Sequence, residues 1–88
     1  EPITAEKLRM VELAEEFLRE HGFSQYRVRM HGSMARVEVL PEDLERLLDP
    51  DLRKEFTTHM KELGFTYTAL DLDGYRTGSM NAVLEEKA

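Results

Sequence analysis

The fold turns on Tyr26-Arg27-Val28-Arg29-Met30-His31-Gly32-Ser33-Met34-Ala35-Arg36-Val37-Glu38-Val39. Apolar and polar residues alternate on both sides of Gly32-Ser33, the period-2 signature of two half-buried strands. A Gly-X pair between them suits a two-residue hairpin loop. With that loop, Tyr26, Val28 and Met30 meet Val39, Val37 and Ala35 on one side. Arg27 meets Glu38, and Arg29 meets Arg36, on the other. A slip of one residue would bury the arginines, so pattern and turn specify the same register.

Working outward, Thr4 is placed to cap a helix over about Ala5 to His21, and Glu6 complements its first turn. Met10, Val11, Leu13, Ala14, Phe17 and Leu18 share its apolar face, and Gly22 stops it. After the hairpin, Pro41 opens a helical segment with Leu44, Leu47 and Leu48 on its apolar edge, and Asp49-Pro50 restarts a helix. Leu52, Phe56, Met60 and Leu63 keep helical spacing up to Gly64. Phe65 to Leu72 reads as a third strand, Asp73-Gly74 as a turn, and Ser79 as the cap of a short helix through Glu86. Arg19-Glu20-His21-Gly22-Phe23 and Lys61-Glu62-Leu63-Gly64-Phe65 resemble each other, as one helix-to-strand joint used twice. The pattern αββααβ predicts an α+β two-layer sandwich: a three-stranded antiparallel sheet of order 2-1-3, first strand central, helices on one face.

Eighty-eight residues make one domain with one modest core. A hydrophobic share of 41% excludes intrinsic disorder. The longest apolar runs are two or three residues, so no membrane partner is expected. The absence of cysteine removes disulfides and thiolate metal sites and fits a cytoplasmic location. A net charge of −6 argues against nucleic acid as a partner. Within this acidic chain, Ser24 to Glu38 forms a basic island of three arginines and one carboxylate.

That island is the sharpest candidate site. Arg29 opposite Arg36 sets like charges across a ladder, and Arg27 adds a third on the same face. Guanidinium forks in a row suit a phosphate or carboxylate; they suit equally a solvated face whose arginines pair with nearby acids. Asp71 to Asn81 is polar and turn-rich, fitting either ligand binding or a structural turn and helix cap. His21, His31 and His59 have no ligand spacing, so no metal site is expected. Glu15, four residues before Arg19, fits an ordinary i,i+4 ion pair.

Two stretches, Arg27 to Glu38 and Leu63 to Asn81, with Ile3 to Leu8 and Ala14 to Arg19, closely resemble the C-terminal part of LarE. LarE-like proteins are ATP-dependent sacrificial sulfur transferases of the PP-loop pyrophosphatase superfamily. The resemblance implies that residues 1–88 are a single C-terminal α+β domain of a larger enzyme. That enzyme would activate a carboxylate of a pyridinium mononucleotide and replace oxygen by sulfur, toward the nickel-pincer cofactor. The family's Ser-Gly-Gly-x-Asp-Ser loop and sulfur-bearing cysteine lie upstream. The resemblance thus implies ATP with magnesium for that N-terminal domain, and neither cofactor nor independent activity for these residues. It assigns Arg27 and Arg29 to the phosphate of the nucleotide substrate, aligns Arg36 with them, and makes Glu15 a catalytic candidate near the sulfur-transfer centre. Asp43, Glu45 and Asp49 are all compatible with a further family aspartate. PP-loop enzymes also use such domains to form homo-oligomers, which leaves a pure oligomerisation module as the alternative.

Overall fold

The structure, a computed structural model, describes residues 4–76. The first helix, α1, runs Ala5–Glu20, and the Thr4 side chain accepts a hydrogen bond from the Lys7 N–H at 3.1 Å. Its C-terminus closes as predicted. Gly22 takes φ 86°, its N–H bonds the Arg19 carbonyl, and the Phe23 N–H reaches back to Leu18. This Schellman pair satisfies two orphan carbonyls. Gly64 repeats it at φ 112°, with Gly64 bonding Lys61 and Phe65 bonding Met60. Phe23 and Phe65 are both buried just beyond their glycines, so the sequence echo is one capping device that drops an aromatic into the core at each joint.

β1 (Tyr26–His31) and β2 (Met34–Val39) pair antiparallel in the register expected from the sequence, including Arg29 opposite Arg36. Gly32 has φ 61° and Ser33 a negative φ, the pattern of a type II′ turn. After β2, a 3-10 turn over Pro41–Asp43 leads into one helical turn, α2 (Leu44–Leu47). Asp49 then caps α3 (Pro50–Leu63) by accepting from the Leu52 N–H at 3.2 Å.

β3 spans only Tyr67–Leu70, shorter than expected. Phe65 belongs to the helix cap, and Asp71 ends the strand by accepting the Asp73 N–H on its own side chain at 2.9 Å. The strand order is corrected too. β3 lies beside β2 and parallel to it, giving a mixed sheet of order β1-β2-β3 rather than an antiparallel 2-1-3. Parallel neighbours need a long crossover, and α2 with α3 supplies one. β2 is the strand fit for the centre, since Ala35, Val37 and Val39 are all fully buried. β1, with a charge at every second position, is fit for an edge.

The class is α+β, with a three-stranded open sheet. Ala14, Phe17 and Leu18 of α1 and Phe56 and Met60 of α3 meet Val28, Ala35, Val37 and Val39 in one core. The Phe17 and Phe56 rings lie 5.0 Å apart. Past β3 the chain stays on β2: the N–H groups of Asp71 and Tyr75 donate to the carbonyls of Val37 and Val39. The helix expected from Ser79 lies outside the described residues, as does the stretch from Thr77 to Asn81.

Candidate anion site on the open sheet face

The core takes one face of the sheet and leaves the other largely to charged and polar residues. Arg27, Arg29 and His31 of β1 stand there with Met34, Arg36 and Glu38 of β2, and with Tyr67 and Ala69 of β3. All three arginines assigned from the sequence share this face. The like-charged pair is held by one carboxylate. Glu38 Oε2 accepts from Arg29 Nε at 3.1 Å and from Arg36 Nη2 at 3.4 Å. Only 12% of the Glu38 side chain is exposed, against 37% for Arg29 and 39% for Arg36, so the acid lies beneath its two partners.

Arg27 faces Glu38 across the ladder but does not take it; the diagonal neighbour Arg29 does. Arg27 is exposed and forms no ion pair with another described residue. Arg36 is the most enclosed of the three by acids, because its Nε also lies 3.9 Å from Asp71 Oδ2. That Nε is buried and has no hydrogen-bond partner among the described residues. Asp71 was not legible as a neighbour of the arginines, because only the β2–β3 pairing brings it beside Arg36. The same pairing puts Tyr67 on the open face with 69% of its surface exposed, whereas Tyr26 packs against the core as expected.

Glu15 does not form the expected pair with Arg19, which instead meets Glu16 at 3.4 Å. From α1 its Oε2 accepts the Val28 N–H at 3.0 Å. Val28 sits between Arg27 and Arg29, and its amide points out of the sheet edge. Glu15 therefore occupies an edge donor that β2 cannot reach and meets the arginine strand at its midpoint. Of the three residues compatible with a further family aspartate, Asp43 meets Arg46 at 3.3 Å and Asp49 caps α3, both away from the sheet's open face. Arg46 also donates to the His21 carbonyl at 2.7 Å and lies over the Phe23 ring, tying α2 to the end of α1.

Among the described residues no three His, Asp or Glu side chains gather as a metal site, and no helix is long and apolar enough to cross a membrane. Chemically, among the described residues the open face offers one guanidinium without an ion pair, Arg27, and a second, Arg29, bound through its Nε alone. Such a surface can bind an oxyanion.

Comparison with known proteins places this geometry in context. The chain is 40% identical over 82 residues to the pyridinium-3,5-bisthiocarboxylic acid mononucleotide synthase of Lactiplantibacillus plantarum, covering 93% of this chain and 29% of that protein. It is likewise 40% identical over 84 residues to the uncharacterized protein slr1717 of Synechocystis, covering 96% of this chain and 31% of that one. The chain thus spans less than a third of each relative. It is related in sequence to a LarE-like synthase, as its motifs suggested. No family model matches it.

Proposed function

We propose that this chain, as a relative of the mononucleotide synthase, is the substrate-phosphate-binding and assembly domain of a LarE-like sulfur transferase. The parent enzyme would act on a pyridinium mononucleotide carboxylate in nickel-pincer cofactor synthesis. ATP and magnesium would bind a segment other than these 88 residues, which carry no Ser-Gly-Gly-x-Asp-Ser loop. The relative is named for making a mononucleotide, and a mononucleotide carries a phosphate for which the arginine face is suited. The observation that carries this reading is the pair Arg27 and Arg29, two residues apart on one exposed strand face, with Arg27 unpaired among the described residues and Arg29 held only through Nε.

In this reading Arg27 and Arg29 grip the phosphate, remote from the reacting carboxylate, and orient the nucleotide. Arg36 supports them from the neighbouring strand. Glu15 joins the same edge through Val28, and its place near the transfer chemistry is part of the proposal. An assembly role would use the open face or its rim, where Tyr67 and Leu72 are exposed.

The test is Arg27→Ala/Arg29→Ala in the full-length protein, titrated with the nucleotide substrate. Charge-assisted contacts of about 1.5–3 kcal/mol each would be lost, so binding should fall at least tenfold. Unchanged affinity with a sharply lowered melting temperature would leave only a packing or oligomerisation role.

A further inference from the structure

The groove lined by Val37, Leu48, Phe56 and Leu70 has nothing to name its occupant. The His21–Phe17–His59 stack holds two helices together without opening to a site. Glu38 differs, because it is an acid placed at the centre of a proposed anion site, where charge alone argues against it.

We infer that Glu38 is a positioning residue of the phosphate site: it fixes the Arg29 guanidinium through Nε, so that its Nη1–Nη2 edge is presented, beside Arg27, to a phosphate group. The inference rests on the phosphate-site reading and deepens it. A guanidinium has five N–H donors along distinct edges. Glu38 takes Nε of Arg29, at 3.1 Å, and Nη2 of Arg36, at 3.4 Å. Arg29 spends the Nε side on the protein and keeps its end-on edge, the one suited to two oxygens of a single phosphate. Arg36 faces two acids, Glu38 and Asp71.

The energetic logic is preorganisation. An arginine on a bare sheet face samples many rotamers, and an anion must freeze them on binding. A carboxylate enclosed beneath Arg29 freezes them at folding instead, which raises affinity through a lower ordering cost. The acid also offsets the Arg29–Arg36 repulsion, so three arginines can share one face. Bulk charge and positioning therefore make opposite predictions for Glu38. Neutralising it makes the face more positive and, by charge alone, tightens phosphate binding. By positioning it weakens binding, because Arg29 loses its tether.

The experiment uses the full-length protein and inorganic phosphate as the probe, read by calorimetric titration alongside melting temperature. Glu38→Gln should weaken phosphate binding about tenfold despite the added positive charge, and should have no further effect in an Arg29→Ala background. Arg29→Lys leaves Glu38 in place and the charge intact, so it serves even where Glu38→Gln does not fold. A lysine has no Nε to tether and no planar two-nitrogen edge to hold two oxygens of one phosphate, and binding should again fall about tenfold. Wild-type or tighter binding in either variant overturns the role of Glu38. If Arg27→Ala/Arg29→Ala itself keeps full phosphate affinity, the phosphate site fails first. If that double variant loses phosphate while Glu38→Gln does not, only the positioning role fails.

Discussion

Replacing Glu15 by alanine removes the acceptor of the Val28 N–H. Val28 is 4% exposed and lies on an edge strand, so β2 cannot satisfy that amide in place of the lost carboxylate. A hydrogen bond to a charged group contributes about 1.5–3 kcal/mol, and an orphaned buried donor costs about 1–3 kcal/mol. Glu15 is only part-buried and water can reach the vacated edge, so the lower half applies, about 1–2 kcal/mol. At roughly 4–8 °C per kcal/mol for a domain of this size, the melting temperature should fall by about 4–16 °C. Glu15→Gln keeps an amide oxygen within reach of Val28 and should lose less than half as much, since a neutral acceptor makes the weaker bond. Thermal melts followed by circular dichroism measure both variants, and hydrogen exchange at the Val28 amide locates the effect. An Ala variant with wild-type melting temperature and undiminished Val28 protection would refute this account. If the chain serves the sulfur transferase proposed above, the same pair separates two roles. A Gln variant that is stable yet inactive assigns chemistry to Glu15, and a stable, active one assigns only the strand edge.

Two further outcomes follow from the same geometry. Gly74 has φ 82°, and a Cβ there would lie 2.8 Å from the Val39 carbonyl oxygen and 3.2 Å from Pro41 N, both backbone; Gly74→Ala should therefore cost at least about 2 kcal/mol from left-handed strain and overlap, and a melting temperature within 2 °C or so of wild type would contradict the close packing of this turn on β2. Arg27→Ala should leave stability within about 0.5 kcal/mol, whereas Arg29→Ala should destabilise measurably because it strips one partner from the enclosed Glu38; equal effects in denaturant melts would show that Glu38 does not distinguish them.

Three arginines on one face, two of them opposed on the ladder, suggest that replacing Arg27 and Arg29 together relieves repulsion. The structure corrects that expectation for Arg29 alone. Its charge is not unopposed, because the diagonal acid Glu38 takes it in preference to Arg27, the residue directly across the ladder. A strand register lists who stands opposite whom. It does not decide which of two arginines reaches a shared acid, since long side chains lean along the strand and cross diagonally.

Local chemistry made much of the molecule legible. Thr4, Asp49 and Pro50 mark helix starts because orphan N–H groups need an acceptor or a residue with no N–H to lose. Gly22 and Gly64 mark helix ends because only a residue without Cβ enters the left-handed region cheaply. Gly32-Ser33 with its flanking alternation determined the hairpin register, and through it the shared face of Arg27, Arg29 and Arg36. Each of these signals acts within a few residues of chain.

The tertiary structure decided what depends on neighbours distant in sequence. A strand of four residues carries no mark of which edge it will join, and β3 chose β2 because the α2–α3 crossover returns it there in parallel while the charged strand β1 stays outside. That choice alone brought Asp71 to Arg36 and Tyr67 onto the open face. Likewise Glu15 lies on a helix surface where a pairing with Arg19 was the nearest local option, yet it bonds the Val28 amide because packing α1 against the sheet carries its carboxylate to an unpaired edge donor. Periodicity reports which face of an element is apolar; which groups the polar atoms meet is settled only when the elements dock and each buried donor must find an acceptor.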